Sequence, residues 1–386
     1  MSEPSSTIPA PPPPALPPRR PMGFWRITGV AVAVVLGVAA IAANFVHLPY
    51  VIISPGDATP LNNQVVSVSG ARTYPHSGEL LYLTVRVSDH DPSVWRWLFA
   101  NLNGDDTVEK KADVIGGCAS YTDSARLNQF LMQASQSDAK AVALQRLGYP
   151  VTPMHTDNVV VSVVCGGPSD GQMHLGDVVT AVDGQPVTTN AEIAPLVQKH
   201  AAGDDVHLTV TRGGATRVIT VRTGHQAKDP TNPKLLTCAR GVGAGSGAKT
   251  CVGIVTYTFA NEKFPFNIRI NTLRVSGPSA GLAFTLALID DLTPGDLTGG
   301  RRVAITGTIA ADGSVGAVGG VEQKTVTARK AGATLMIVPT IEAKAAREHA
   351  DGMRVVGVDN ISEALAALRR AGGDPLPPQP KAPAAQ

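Results

Sequence analysis

The stretch from Val275 to Pro339 constrains this chain more than any other part of it. It opens on Val-Ser-Gly-Pro-Ser-Ala-Gly-Leu-Ala-Phe, which sets Ser279 in a run of small residues ahead of an apolar helical pattern from Gly281 to Leu292. It closes on Gly-Gly-Val-Glu-Gln-Lys, a second predicted helix (321–332) that carries Lys324, and a short strand over 334–338. Between them, 303–310 and 314–318 flank an Asp312-Gly313 turn, a strong hairpin signal. Positions 321, 324, 325 and 328 share one helix face and read Val, Lys, Thr, Ala, so Lys324 points inward. Lys330 lies about half a turn round and reads as solvated.

A serine hydroxyl is a poor nucleophile until a nearby base takes its proton. Backbone N–H groups at a helix start, here those of Ser279 and Ala280, can hold an oxyanion. Burial disfavours the ammonium form of a lysine and makes its neutral amine a general base. The bland alternatives are that Ser279 only caps the helix behind it, and that Lys324 lays its stem on apolar surface with its charge in water.

The rest of the chain supplies the setting. Residues 1–23 form a Pro-rich tail, with Pro11 to Pro14 unbroken, a composition that stays extended. Arg19, Arg20 and Arg26 precede a chargeless apolar run from Ile27 to Val46, which predicts a transmembrane helix over 24–47. The positive flank places the N-terminus in the cytoplasm and the catalytic domain outside, in a single-pass cell-membrane topology. A cleaved signal peptide ending near Ala40-Ile41-Ala42 is the competing reading.

Residues 48–123 read as a small β-rich extracytoplasmic segment and 124–147 as helix, with Gly148 as its stop. Short strands come next over 158–164 and 175–187, then a helix over 190–200 and a hairpin across Gly213-Gly214. From 236 to 372 strands alternate with helices, the last over 361–370, and 373–386 is a second Pro-rich tail. Gly243 to Thr250 nearly spells a phosphate-binding loop, but Ala248 replaces its last glycine and a β-pattern stands where a helix is required.

At 386 residues more than one domain is expected. A net charge of +2 argues against a concentrated phosphate-binding face, so no nucleic-acid partner is expected. The four cysteines lack metal-ligand spacing, so no metal is expected, while Cys238 and Cys251 are close enough to staple one loop.

The run Gly176-Asp-Val-Val through Val182-Asp-Gly184 resembles a PDZ domain. That resemblance implies a groove taking an extended peptide by strand addition, with a backbone nest at Leu147, Gly148 and Tyr149 for a terminal carboxylate. Gly277-Pro-Ser-Ala-Gly281 and Gly319-Gly-Val-Glu-Gln-Lys324 through Gly332 to Pro339 resemble the proteolytic domain of Lon-type serine proteases. Carried over, Ser279 is the nucleophile, Lys324 the base, Ser279 and Ala280 the oxyanion hole, and Thr306 the support for the lysine. Thr308, a second candidate support, stands where many such enzymes have glutamate, and Ser276 where many have an acid.

The order of parts is similar to a bacterial subgroup of membrane-anchored, ATP-independent proteases with an α+β organisation: membrane helix, β-rich segment, PDZ domain and Lon-type α/β domain. Polypeptide substrates, no cofactor and a homo-oligomer are what the resemblance implies. The alternative is a catalytically silent PDZ scaffold that binds envelope proteins.

Overall fold

The computed structural model describes residues 24–115, 119–228, 236–241, 248–272 and 275–377. Helix α1 (Phe24–Ala43) comes first and leaves Val30, Val34, Val38 and Ile41 facing solvent. It ends at Ala43, short of the expected 47. Its described side chains are Trp25 and those from Thr28 onward, and among the described residues no helix is long and apolar enough to cross a membrane.

Next come β1 (Tyr50–Pro60), β2 (Val66–Ser69), β3 (Glu79–Val87), α2 (Val94–Leu102), β4 (Thr107–Lys110), α3 (Lys111–Val114) and the long α4 (Tyr121–Arg146). Helix α4 starts on a capping box, in which Ser120 and Asp123 satisfy each other's backbone N–H groups. It stops at Gly148, whose φ of 81° is open to glycine without cost.

An inserted unit follows. It contains β5 (Thr152–Val163), β6 (Val178–Val182), β7 (Gln185–Pro186), α5 (Asn190–Val197), β8 (Asp205–Arg212), β9 (Ala215–Arg222), β10 (Gly224–Lys228), β11 (Leu236–Ala239), β12 (Thr250–Cys251) and β13 (Ile254–Lys263). The main sheet has the order β13-β5-β6-β8-β9, and its buried valines with Leu208 and Ile193 make a core separate from the rest. Cys238 and Cys251 form a disulfide, a pairing the sequence left open against unpaired buried thiols, Cys165 is also disulfide-bonded, and Cys118 lies outside the described residues. Most of the glycine-rich loop (242–247) is likewise outside them, and strand β12 lies just beyond it. Strands β5 and β13 run side by side, with Thr152 opposite Lys263 where the chain enters and leaves the unit.

The chain then forms β14 (Asn267–Ile270), α6 (Gly281–Leu292), β15 (Arg302–Ile305), β16 (Thr308–Ile309), β17 (Val315–Gly316), α7 (Val321–Lys330), β18 (Leu335–Pro339), α8 (Ala343–Glu348), β19 (Arg354–Val358) and α9 (Ile361–Arg370). A six-stranded sheet in the order β19-β18-β15-β3-β1-β4 organises the body. Strands β19, β18, β15 and β3 are parallel, and β1 and β4 close the sheet antiparallel.

Alternation along the strands serves two cores. Val303, Ile305, Leu335 and Ile337 face α4, α6 and α9, whereas Ala304, Met336 and Val338 face α7 and α8. The body is therefore mixed α/β, with helices on both faces of a largely parallel sheet, as the alternation of strands and helices over 236–372 leads one to expect.

The segment 48–123 is not a module of its own. It gives β1, β3 and β4 to this sheet, and β2 pairs with β14, so the body is assembled from both sides of the insert. The long predicted strand 303–310 also breaks. Its first half is β15 in the large sheet and its second half is β16, paired with β17 across the Asp312-Gly313 turn.

Candidate active site

Ser279 sits half-buried in the turn that feeds α6. Three contacts fix this turn: Gly277 N–H donates to Asn128 C=O at 2.9 Å, Ser135 Oγ donates to Pro278 C=O at 2.9 Å, and Gly281 N–H donates to Pro278 C=O at 3.2 Å. Two of these partners belong to α4, so the helix before the insert holds the serine loop after it. Gly281 has no room for a side chain, because a Cβ there would come within 2.5 Å of Ser135 Oγ and 2.8 Å of Ile309 Cγ2. The N–H groups of Ser279 and Ala280 donate no hydrogen bond among the described residues, while Ala280 is buried at the N-cap of α6. Two aligned, unspent donors at a helix start are what an oxyanion site needs.

Lys324 is only 1% exposed, on the inner face of α7 as helical phase predicts. Lys330, on the outer face, pairs instead with Asp105 at 2.7 Å. Gly320 starts α7 at φ 64°, and a Cβ there would press on Val85 and Ile53, so the glycine lets the helix lie close on β1 and β3. Burial lowers the Lys324 pKa from 10.5 to about 8, against an opposing pull from the Glu342 carboxylate. Its Nζ donates to Thr306 Oγ1 at 3.1 Å, and Thr306 Oγ1 donates in turn to the Ser279 carbonyl at 3.2 Å. Gly307 N–H donates to the same carbonyl at 2.9 Å. Among the described residues, lysine and serine are thus linked through Thr306 rather than by a direct Oγ–Nζ bond.

The break between β15 and β16 makes this possible. Thr306 still spends its N–H on the last rung of the ladder, donating to Ile337 C=O of β18 at 3.0 Å, and Gly307, at φ 157°, then turns the chain toward the serine loop. Thr308 ends up elsewhere, with its side chain packed over Gly316 in the small hairpin. Thr306 and Thr308, the two candidate supports, do not share a strand face, because β15 ends at Ile305 and β16 starts only at Thr308.

Sequence reasoning missed Glu342. Its Oε1 accepts from Val318 N–H at 2.9 Å, its Oε2 is buried without a hydrogen-bond partner, and burial raises its pKa while Lys324 lowers it. In sequence it is one more acid ahead of a short helix, and only the packing of α8 on α7 brings it near the lysine.

Leu147, Gly148 and Tyr149 do not form a carboxylate nest. Their N–H groups donate to Ala143 and Leu144, Gln145 and Leu144 respectively, closing the last turns of α4. Their side of the molecule is the catalytic body: they line a cavity with Tyr74, Leu292 and Leu376, and Tyr149 packs edge-on against Phe266. Helix C-capping and a free nest need the same N–H groups, and the helix has them.

Comparison with known proteins matches two stretches of the chain. Residues 257–369 match the model of the Lon protease (S16) C-terminal proteolytic domain, and 145–223 match the PDZ domain. The Lon protease of Clostridioides difficile is 44% identical over 63 residues, 16% of this chain and 8% of that protein. The Lon protease of Roseiflexus castenholzii is 37% identical over 93 residues (23% and 11%), and that of Chloroflexus aggregans 32% over 117 (29% and 14%). The chain thus spans 8% to 14% of the length of these three relatives.

Proposed function

We propose that this chain, which joins a PDZ domain to a Lon-type proteolytic domain, is a serine endopeptidase that cleaves polypeptides without ATP. The observation that carries the reading is the buried Lys324 tied through Thr306 to the backbone of Ser279. With its pKa brought to about 8, a useful fraction of the amine is neutral at physiological pH.

In this reading the Ser279 hydroxyl attacks the scissile carbonyl as its proton passes to Lys324 Nζ. The N–H groups of Ser279 and Ala280 hold the oxyanion. Lys324 then protonates the leaving amine, and a water activated by the same amine releases the acyl group from Ser279. Thr306 keeps Nζ beside the serine loop.

A cleft of ≈ 440 Å³ supports delivery of substrate from the PDZ unit. It is lined by Leu127, Asn128 and Leu131 of α4 and by Val161 and Ser162 of β5, and Asn128 is the residue that holds Gly277. Helix α1, with apolar side chains on its surface, is proposed as a single-pass membrane anchor that leaves the body on the extracytoplasmic side.

The test is turnover of an unfolded protein by the full-length chain in detergent, beside Ser279→Ala and Lys324→Ala. Loss of at least about a thousandfold in kcat in each variant is expected. Equal turnover by parent and variants removes the dyad. An inactive parent that still binds peptide leaves a scaffold.

A further inference from the structure

A helix on a protein surface turns its apolar stripe to the core and its polar side chains to water. Helix α2 does not. Its inner face is Ala100, fully buried, and Trp97, whose ring packs against Tyr50 with centroids 6.0 Å apart. Trp95, Phe99 and Leu102 recur at i, i+4 and i+7 on the opposite side, where Phe99 is 61% and Leu102 74% exposed. The rings of Trp95 and Phe99 lie 6.3 Å apart, so the row is continuous where it begins. The helix carries no acid and a single charge, on exposed Arg96.

The place of this row in the molecule narrows what covers it. The chain leaving α1 pairs with the chain entering α2. Leu48 N–H donates to Pro92 C=O at 2.9 Å and Val94 N–H to Val46 C=O at 3.1 Å, around a bridge between His47 and Ser93. Trp95 Nε1 donates to Ala40 C=O at 2.7 Å, one of the last four carbonyls of α1, which a helix cannot satisfy from within. The two helices are therefore joined by a fixed contact rather than a loose tether. Exposed apolar side chains continue from Val38 and Ile41 of α1 through Phe45 and Val46 to Phe99 and Leu102.

A further tryptophan, Trp25, stands exposed near the other end of α1, about 22 Å from Ala40 along the helix. Tryptophans gather where the hydrocarbon of a bilayer meets its headgroups, because the ring is apolar and its N–H seeks a polar partner. One such side chain toward each end of an apolar stretch marks two such levels.

We propose that the outer row of α2 rests in a lipid surface. Trp95, Phe99 and Leu102 lie in the headgroup boundary of the leaflet at the C-terminal end of α1, and Arg96 reaches the lipid phosphates. This rests on the reading of α1 as a membrane anchor. Three side chains bind too weakly to hold the protein at a membrane alone, so the contact orients the body.

The same contact reaches the catalytic helix. Just after α2, Asp105 pairs with Lys330 Nζ at 2.7 Å, and Thr107 Oγ1 accepts from Gln323 Nε2 at 2.7 Å, both partners being on α7. Lys324 is thus held at a set height above the bilayer, and the body does not swivel about α1.

The test uses the full-length chain in vesicles of phosphatidylcholine and phosphatidylglycerol. A nitroxide is attached at Phe99→Cys, at Leu102→Cys or, as reference, at Asn101→Cys, which is exposed on another side of α2. The parent chain treated with the same reagent gives the background. Collision rates are read with oxygen, which concentrates in lipid, and with a nickel chelate, which stays in water. The oxygen-to-nickel ratio is about threefold higher or more in Phe99→Cys and Leu102→Cys than in Asn101→Cys. Equal ratios overturn the contact. Labels in Leu102→Cys that are shielded from both reagents and broaden one another also overturn it, because a second copy of the chain then covers the row.

Alkaline carbonate separates the two readings. A chain that stays with the vesicles while its labels meet water keeps the anchor and loses the contact. A chain extracted by carbonate, whose labels showed the high ratio beforehand, loses the anchor and keeps the contact.

Discussion

Replacing Lys324 by methionine is expected to separate chemistry from stability. The lysine titrates at 10.5 when unperturbed and at about 8 in the folded protein, so the folded state disfavours the ammonium. The unfolded chain then binds more protons between these values, and stability rises with pH across that window. Below pH 8 the full cost is present, of order 3 kcal/mol, and above 10.5 it is gone. Lys324→Met is expected to be inactive yet more stable at pH 7 by about 2 to 3 kcal/mol, with the advantage fading by pH 10.5. Urea unfolding across a pH series measures this.

Activity of the parent is expected to rise with pH through about 8. Because the Glu342 carboxylate raises the lysine pKa, Glu342→Gln is expected to move that rising limb to lower pH without abolishing turnover. A pH–rate profile whose limb stays in place excludes the coupling. Ser279 and Lys324 were legible in sequence because short motifs and helical phase place them. Glu342 was not, because a lone acid before a six-residue helix carries no signal of which helix it will pack against.

Elements were legible where their signals are local. Helices α6 and α7 and the Gly213-Gly214 hairpin all fall where periodicity and turn residues put them. What escaped was pairing at a distance. Strand β3 joins β15 across more than two hundred residues, and no local pattern says so. Strand β19 went unnamed for the same reason: its place in the sheet comes from pairing with β18, not from a local pattern.

The seam between α4 and β13 carries its own pH dependence. Burial and the nearby Glu262 charge raise the Asp138 pKa to about 7, so ionising it opposes folding, and the stability it leaves intact at low pH is lost as pH rises toward 7. Asp138→Asn is expected to raise the melting temperature at pH 8 by about 2 to 4 °C and to change it little at pH 4. Calorimetry at the two pH values decides it. Phe130 against Phe259, with ring centres 5.1 Å apart, marks the apolar part of the same seam and is expected to survive the substitution.

At the scale of the whole molecule, the catalytic body is one fold interrupted by another. Replacing 152–263 with a short turn is expected to leave a folded body that cleaves small peptides but has lost the turnover of unfolded protein that delivery from the inserted unit supports. A body that does not fold would mean that the insert supplies core as well as recognition. Removing 1–47 is expected to shift the protein from the membrane pellet to the soluble fraction with kcat unchanged, as read by fractionation and turnover.

The pairing of Thr152 with Lys263 has a consequence for how the chain reaches this shape. Helix α4 and the serine loop must find each other across more than a hundred residues, and closing so long a loop in a disordered chain is entropically costly. If the insert folds first, its two ends are already one strand spacing apart, and only the chain outside it has to be closed, about a quarter of the full loop. Each halving of effective length recovers about 0.6 kcal/mol, so the saving is on the order of 1 kcal/mol. The insert then acts as an internal template: nucleation there brings the two halves of the body together before either can form its sheet alone.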